Sequence, residues 1–277
     1  MCGIVGYVGA WNAAPVLLSG LSRLEYRGYD SAGIAVSDLR DGENRIEILK
    51  AKGRLQALKE MTDNGKAVSG TCGIGHTRWA THGEPSVANA HPHCSKDKRI
   101  VVVHNGIIEN YKELKEYLQK KGFVFLSETD TEVVAHLLDY YYKGNPLEAI
   151  ARALGRIRGS YALGILFKDQ PGKIYAVRKD SPLIIGRSEN GNFIASDVPA
   201  ILKYTKNVCY ISDMEIAELT KDTITFYDVD QEILEKEFRT VEWDAKSAEK
   251  GGFEHFMLKE IYEQPKAVAD TIHPRIK

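Results

Sequence analysis

The sequence predicts an α+β protein in which two β-sheets are stacked between helical layers. Three observations carry this. Apolar, β-branched runs at 2–9 and 100–103 read as buried strands. Helical apolar spacing comes in two batches, one near the start and one over 111–157. From 160 to 227 short strand signals follow one another, with turn residues between them. Strands and helices do not alternate one for one, so a doubly wound parallel sheet fits less well.

In chain order, 2–9 is the first strand and 15–24 has the spacing of a helix. Residues 33–36 and 45–51 read as strands, 55–61 as a short helix and 73–77 as another strand. The run Ile100-Val101-Val102-Val103 is the clearest central strand. Amphipathic helices are expected over 111–121 and 132–142, and a third over 146–157 with Pro146 in its first turn. Strands follow at 161–167, 173–177, 183–185, 193–195, 208–211, 215–219 and 223–227. Residues 244–252 are polar and end in glycine, and helical spacing resumes over 253–272. The expected organisation is one domain over 2–243, with 244–277 leading towards something else.

The 277 residues, 43% of them hydrophobic, suffice for one sizeable core or one core with a small appendage. Basic and acidic side chains number 37 and 38. No basic stripe points to nucleic acid, and no acidic block points to disorder. The start lacks a basic lead with a long apolar run, so neither a secretory signal nor a bilayer span is expected. The expectation is a soluble, cytoplasmic protein. Cys2, Cys72, Cys94 and Cys209 are scattered, without a CxxC pair, and read as thiols rather than a disulfide framework.

Five segments can carry chemistry. The first is Cys2-Gly3-Ile4-Val5-Gly6. A thiol at position 2 ordinarily has no role. If Met1 is removed, however, thiol and free α-amine share one residue. That amine titrates near pH ~8 and can serve as base for its own side chain.

The second is His76-Thr77-Arg78-Trp79-Ala80-Thr81-His82-Gly83-Glu84-Pro85, read as a loop after a strand. His76, His82, His91, His93 and Cys94 could ligate a metal, but their spacing matches no compact zinc pattern. The alternative is a substrate loop, with Arg78 gripping a carboxylate through its fork and Trp79 as a lid.

The third, His104-Asn105-Gly106, has a strong hairpin reading, because Asn-Gly lies between two apolar runs. It can also supply an oxyanion hole from the Asn105 amide and the Gly106 N–H. In the fourth, Ser127-Glu128-Thr129-Asp130-Thr131-Glu132, Thr129 and Glu132 have capping-box spacing. Asp130 either decorates a helix start or holds a substrate ammonium. The fifth, Tyr26-Arg27-Gly28-Tyr29-Asp30-Ser31-Ala32-Gly33, is a structured turn that names no chemistry by itself. No phosphate-binding glycine loop occurs, so no nucleotide cofactor is expected.

Taken in order, these segments resemble the glutaminase domains of glutamine–fructose-6-phosphate aminotransferases (isomerising), which are class II glutamine amidotransferases. The similarity covers essentially the whole chain. Each motif is weak alone, and five in the same order are specific. Amidophosphoribosyltransferases share the Cys-Gly start but usually differ where Tyr29-Asp30 stand, and asparagine synthetases are similar mainly at the start. Phe256-Met257-Leu258-Lys259-Glu260-Ile261-Tyr262-Glu263-Gln264-Pro265 resembles the segment leading into the sugar-isomerase half.

The resemblance implies the four-layer αββα sandwich of N-terminal nucleophile hydrolases. It implies that Cys2 is the nucleophile, and through its amine the base. Asn105 and Gly106 would form the oxyanion hole, Arg78 would bind the glutamine α-carboxylate and Asp130 its α-ammonium. Trp79, Thr81 and His82 would belong to a loop closing over glutamine, and Arg27 would order the nucleophile region. No metal or cofactor is implied. The implied partners are L-glutamine and a sugar-isomerase half binding fructose 6-phosphate, in a homo-oligomeric enzyme. The rival readings are a glutaminase of another class II amidotransferase and a non-catalytic domain that keeps the fold.

Overall fold

The apolar run behind Cys2 forms β1 (Gly3–Gly9), buried at every position. The structure, a computed structural model, describes residues 2–242, 253 and 256–273. Helix α1 (Ala13–Ser22) follows, with Leu17 and Leu21 fully buried. Strands β2 (Ser31–Arg40) and β3 (Glu43–Lys52) form a hairpin. Its turn residues Asp41 and Gly42 both have positive φ, 51° and 79°, the backbone that suits the twist of paired strands. Then come α2 (Leu55–Met61), β4 (Cys72–Arg78), the two-residue β5 (His93–Cys94) and β6 (Ile100–Ile108).

Three helices follow, α3 (Tyr111–Lys120), α4 (Thr131–Tyr141) and α5 (Pro146–Leu154). At the start of α5, the Asn145 side chain accepts from the Leu147 and Glu148 amides ahead of Pro146. The strands β7 (Gly159–Phe167), β8 (Ile174–Lys179), β9 (Ile184–Ser188), β10 (Gly191–Ala195) and β11 (Asn207–Tyr210) come next. The last are β12 (Ile216–Leu219), β13 (Ile224–Tyr227), β14 (Ile233–Leu234) and β15 (Arg239–Thr240), before α6 (Phe256–Ile272).

The strands form two sheets, in the orders β15-β11-β9-β10-β1-β4-β2-β3 and β14-β13-β12-β8-β7-β6-β5. Neighbouring strands are antiparallel. β6 shows why the layers form. Val101 and Val103 enter the core shared with Ile4, Val8, Ile74 and Ile194 of the other sheet. Ile100 and Val102 point the other way, into a cluster with Leu114, Val134, Leu138 and Ile150 of α3, α4 and α5. An unbroken apolar run is what a strand covered on both faces requires. α1 packs on β1 and β4 on the far side of the first sheet. Helix, sheet, sheet and helix therefore stack as four layers, the αββα sandwich expected from the resemblance.

The chain divides into two compact units, Met1–Thr240 and Val241–Lys277. The second holds α6, which carries Pro265 inside it. The polar stretch at 244–252 lies outside the described residues.

Three local expectations are overturned. Asn105-Gly106 is not a hairpin turn: β6 runs through it and pairs with β7 continuously from Ile100 opposite Phe167 to Ile108 opposite Gly159. A long-range partner strand outweighs the dipeptide's local preference. His76, Thr77 and Arg78 are the end of β4, and the loop begins only at Trp79. Thr129 and Glu132 make no capping box. The residue before α4 is Asp130, without a side-chain cap bond. The Glu132 carboxylate turns back to accept from the Leu126 and Ser127 amides at 2.8 and 2.7 Å.

Candidate active site

Pairing of β1 with β4 places Gly3 opposite Thr77, so Cys2 lies where β4 gives way to its loop. The Trp79 amide donates to the Cys2 sulfur at 3.2 Å, and the sulfur is 3.6 Å from the Trp79 carbonyl oxygen. From the second sheet, Asn105 on β6 donates through Nδ2 to the Cys2 carbonyl oxygen at 3.0 Å. Cys2 is thus held by both sheets.

Cys2, Arg27, Arg78, Trp79, Thr81, His82, Asn105, Gly106 and Asp130 all line one cavity of about 340 Å³. They come from five separate stretches of sequence: the start of the chain, the turn before β2, the end of β4 with its following loop, the end of β6 and the start of α4. The antiparallel register delivers them to the same end of the sandwich.

Arg78 is buried at 4% exposure. Its Nη2 donates to the carbonyls of His82 and Gly83, the second at 2.9 Å. Nη1 is buried without a partner among the described residues. The guanidinium therefore shapes the loop with one arm and has a donor left for an anion. Asp130, also buried, accepts from the Ile108 amide at 2.8 Å through one oxygen. Trp79 is half exposed and stands edge-on to Tyr29, with centroids 5.1 Å apart. His82 packs edge-on against Tyr111 at 5.3 Å. Arg27 is ion-paired with Asp197 and donates through Nε to the Tyr26 hydroxyl at 3.0 Å. Thr81 is exposed at the cavity.

Gly106 has φ +128°, and a Cβ there would stand 2.1 Å from the Ser160 carbonyl oxygen. Only glycine lets β6 run this close to β7 in that conformation.

Burial pushes the Cys2 thiol above its ordinary 9.0; the Trp79 amide and the Arg78 charge pull the other way without cancelling it. The resting sulfur is therefore protonated at neutral pH, and attack requires a base. The α-amine expected in that role depends on removal of Met1, which lies outside the described residues.

Of the histidines weighed as metal ligands, His76 and His91 are stacked at 4.1 Å, and His91 meets His93 edge-on at 4.7 Å. Burial drives His76 down to about 3, and His91 and His93 well below their ordinary value, so these rings are neutral. Among the described residues no group of three or more His, Cys, Asp or Glu could hold a metal ion.

Asp30 supports the loop at the cavity without lining it, a role the sequence did not reveal. One of its oxygens accepts from the Ala80 amide and the other from the Ser31 hydroxyl at 2.9 Å. Its own amide donates to the Arg78 carbonyl at 3.2 Å. It braces the backbone on both sides of Trp79. A Cβ at Gly28 would stand 2.7 Å from the Arg78 carbonyl carbon, so the turn at 26–33 is built to lie against this loop. Only the motif itself signalled this, and it named no partner.

The family model for the glutamine amidotransferase domain matches residues 76–203. A glutamine–fructose-6-phosphate aminotransferase (isomerising) of Clostridium acetobutylicum is 58% identical over 276 residues, covering 100% of this chain and 45% of the relative. Its namesake in Caldanaerobacter subterraneus is 59% identical with the same coverage. The chain belongs to the glutamine amidotransferase domain family. This amidotransferase domain spans about half the length of the curated relatives it matches. Among solved structures, the Bacillus subtilis glutamine phosphoribosylpyrophosphate amidotransferase, complexed with ADP and GMP, superposes with a TM-score of 0.71 at 24% identity. The superposition covers 84% of the domain and 50% of that chain. A glutamine aminotransferase class-II domain protein from Silicibacter pomeroyi gives 0.58 at 17% identity, over 82% of the domain and 99% of that chain. At these identities the two structures speak for the fold.

Proposed function

We propose that this domain hydrolyses L-glutamine to glutamate and ammonia through a thioester on Cys2, as the ammonia-supplying half of a glutamine–fructose-6-phosphate aminotransferase. The observation that carries the reading is that the Cys2 thiol shares one cavity with donors suited to an oxyanion and with a cation and a carboxylate suited to the two charged ends of an amino acid. Asn105, Gly106, Arg78 and Asp130 all line it, and Arg78 Nη1 is a buried donor without a partner among the described residues.

Glutamine binds with its α-carboxylate at Arg78 and its α-ammonium at Asp130. The sulfur attacks the side-chain amide carbon, and its proton passes to the Cys2 α-amine freed by loss of Met1. Asn105 Nδ2–H and the Gly106 N–H hold the oxyanion, each donor lowering the barrier by about 3 kcal/mol. Ammonia leaves with the proton returned from the amine, and water hydrolyses the thioester. Trp79, Thr81 and His82 close over the substrate, and Arg27, anchored by Asp197, orders the Cys2 surroundings.

In the whole enzyme the ammonia passes to a sugar-isomerase half that turns fructose 6-phosphate into glucosamine 6-phosphate. The relatives' names and lengths support that assignment, as does identity above 50% against 24% for the phosphoribosylpyrophosphate amidotransferase structure. We assign 2–243 to the glutaminase and 244–277 to the lead into the isomerase half, in a cytoplasmic homo-oligomer. No described helix is long and apolar enough to cross a membrane.

The test is mass spectrometry after treatment with a glutamine-like electrophile. A single adduct on Cys2, in a chain lacking Met1, is the expected result. An adduct on another residue, or none, overturns the reading.

A further inference from the structure

Beyond the end of β5, side chains close the edge of β6. β5 pairs only with Val101 and Val102. At His104 the backbone N–H donates to His91 Nδ1 at 3.3 Å, and the carbonyl oxygen lies 3.0 Å from His76 Nε2. The two imidazoles are stacked 14° from parallel, standing in for the strand that is missing there.

This arrangement dictates where hydrogens sit. A carbonyl oxygen only accepts, so His76 carries its hydrogen on Nε2. The same Nε2 is 3.0 Å from the Asn105 side-chain oxygen, so one N–H is shared between two acceptors. An amide has one accepting and one donating end. Turned over, Asn105 would set its NH₂ against the His76 N–H and its oxygen against the Cys2 carbonyl oxygen. Donor would face donor, and acceptor would face acceptor.

We propose that His76 is a positioning residue for glutamine hydrolysis, whose Nε2–H holds the Asn105 amide with its NH₂ towards Cys2 and the cavity. The inference rests on the reading of Asn105 as an oxyanion donor. A reversed amide would present lone pairs to the developing negative charge.

His91, stacked on His76, is itself tied in place. Because His91 Nδ1 accepts from the His104 amide, its hydrogen is on Nε2, 3.5 Å from Thr131 Oγ1. Thr131 Oγ1 in turn lies 2.9 Å from His104 Nδ1. His76, His91 and His104 are each at most 5% exposed. Burial holds the His76 ring neutral, with one nitrogen free of hydrogen.

Steady-state kinetics on H76F, H76Q, N105A and H76F/N105A test this in the Met1-processed protein. H76F keeps a ring but no donor, and kcat should fall about 100-fold with KM for glutamine within about threefold. H76Q restores a donor near Nε2 and should keep kcat within about tenfold of the parent. The double variant should be no more than about twofold slower than N105A, because His76 acts through that amide. Multiplicative losses in the double variant, or KM rising in step with the loss of kcat, would overturn the proposal. If N105A is slow while H76F is fast, His76 is excluded and the oxyanion reading survives. If N105A is as fast as the parent, both fall. Should H76F fail to fold, ¹⁵N spectra of histidine-labelled parent protein decide: an Nε2-protonated His76 is expected, and an Nδ1-protonated ring overturns the inference.

Discussion

The Trp79 backbone amide donates to the Cys2 sulfur at 3.2 Å, binding the first described residue of the chain to the first residue of the loop after β4. The sulfur is held ready but not ionised, because burial outweighs that hydrogen bond. Cys2→Ala should abolish ammonia release from glutamine and leave the melting temperature within about 2 °C, a shift of under 1 kcal/mol for a chain of this size. Residual hydrolysis near the parent rate would remove Cys2 from the mechanism.

The same thiol makes a pH prediction. A neutral acid whose folded value is raised ionises later than a free thiol, so thiolate is scarce at neutral pH. In the chain that retains Met1, alkylation of Cys2 by iodoacetamide, without glutamine, should still be accelerating at pH 9, the ordinary thiol value. A plateau well below that pH would contradict the burial effect.

Gly106→Ala should be severe. The new Cβ would meet the Ser160 carbonyl at 2.1 Å in a backbone conformation that costs L-residues about 1–3 kcal/mol. A lower melting temperature and loss of hydrolysis are expected together. Unchanged hydrolysis would show that the β6 backbone there does not need its present path.

Arg78→Lys separates charge from shape. Lysine keeps the positive charge but cannot span the His82 and Gly83 carbonyls and still offer a second fixed donor. KM for glutamine should rise about tenfold or more, equivalent to about 1.4 kcal/mol, and residues 79–83 should be cut faster by protease. Unchanged KM would place the α-carboxylate elsewhere.

Asp130→Asn keeps an acceptor for the Ile108 amide and removes the charge. A charge-assisted contact to an ammonium is worth about 1.5–3 kcal/mol, so KM should rise about 10- to 100-fold with little change in melting temperature. A loss confined to thermal stability would assign Asp130 to the helix start alone.

Glu132 carries the acid sensitivity of the same region. Burial raises its carboxyl, but His136, the Leu126 and Ser127 amides and the Ser127 hydroxyl more than reverse this and bring it down to about 2. A depressed folded value stabilises the native state above the unfolded carboxyl range of about 4.3, and that stability is lost as pH falls towards 2. The difference in unfolding free energy between parent and Glu132→Gln should be largest near pH 7 and shrink below pH 4.5. A difference independent of pH would show that the charge contributes nothing.

Periodicity in the sequence determined the two sheets and the helix batches, and the family resemblance carried by its ordered motifs pointed to nine residues that line one cavity. An apolar run with two buried faces, or a helical stripe, is written in adjacent residues, and the motifs are contiguous. The tertiary structure decided what depended on partners distant in the chain. β7 carried β6 straight through Asn105-Gly106, which local preference alone would turn. Pairing of β1 with β4, with Asn105 reaching across from the second sheet, brought Cys2, Trp79 and Asn105 within hydrogen-bond reach. The same packing set Asp30 beneath Trp79 and turned His76 from a candidate ligand into the neighbour of Asn105. Such contacts come from register and layer packing, and no spacing along the chain encodes them.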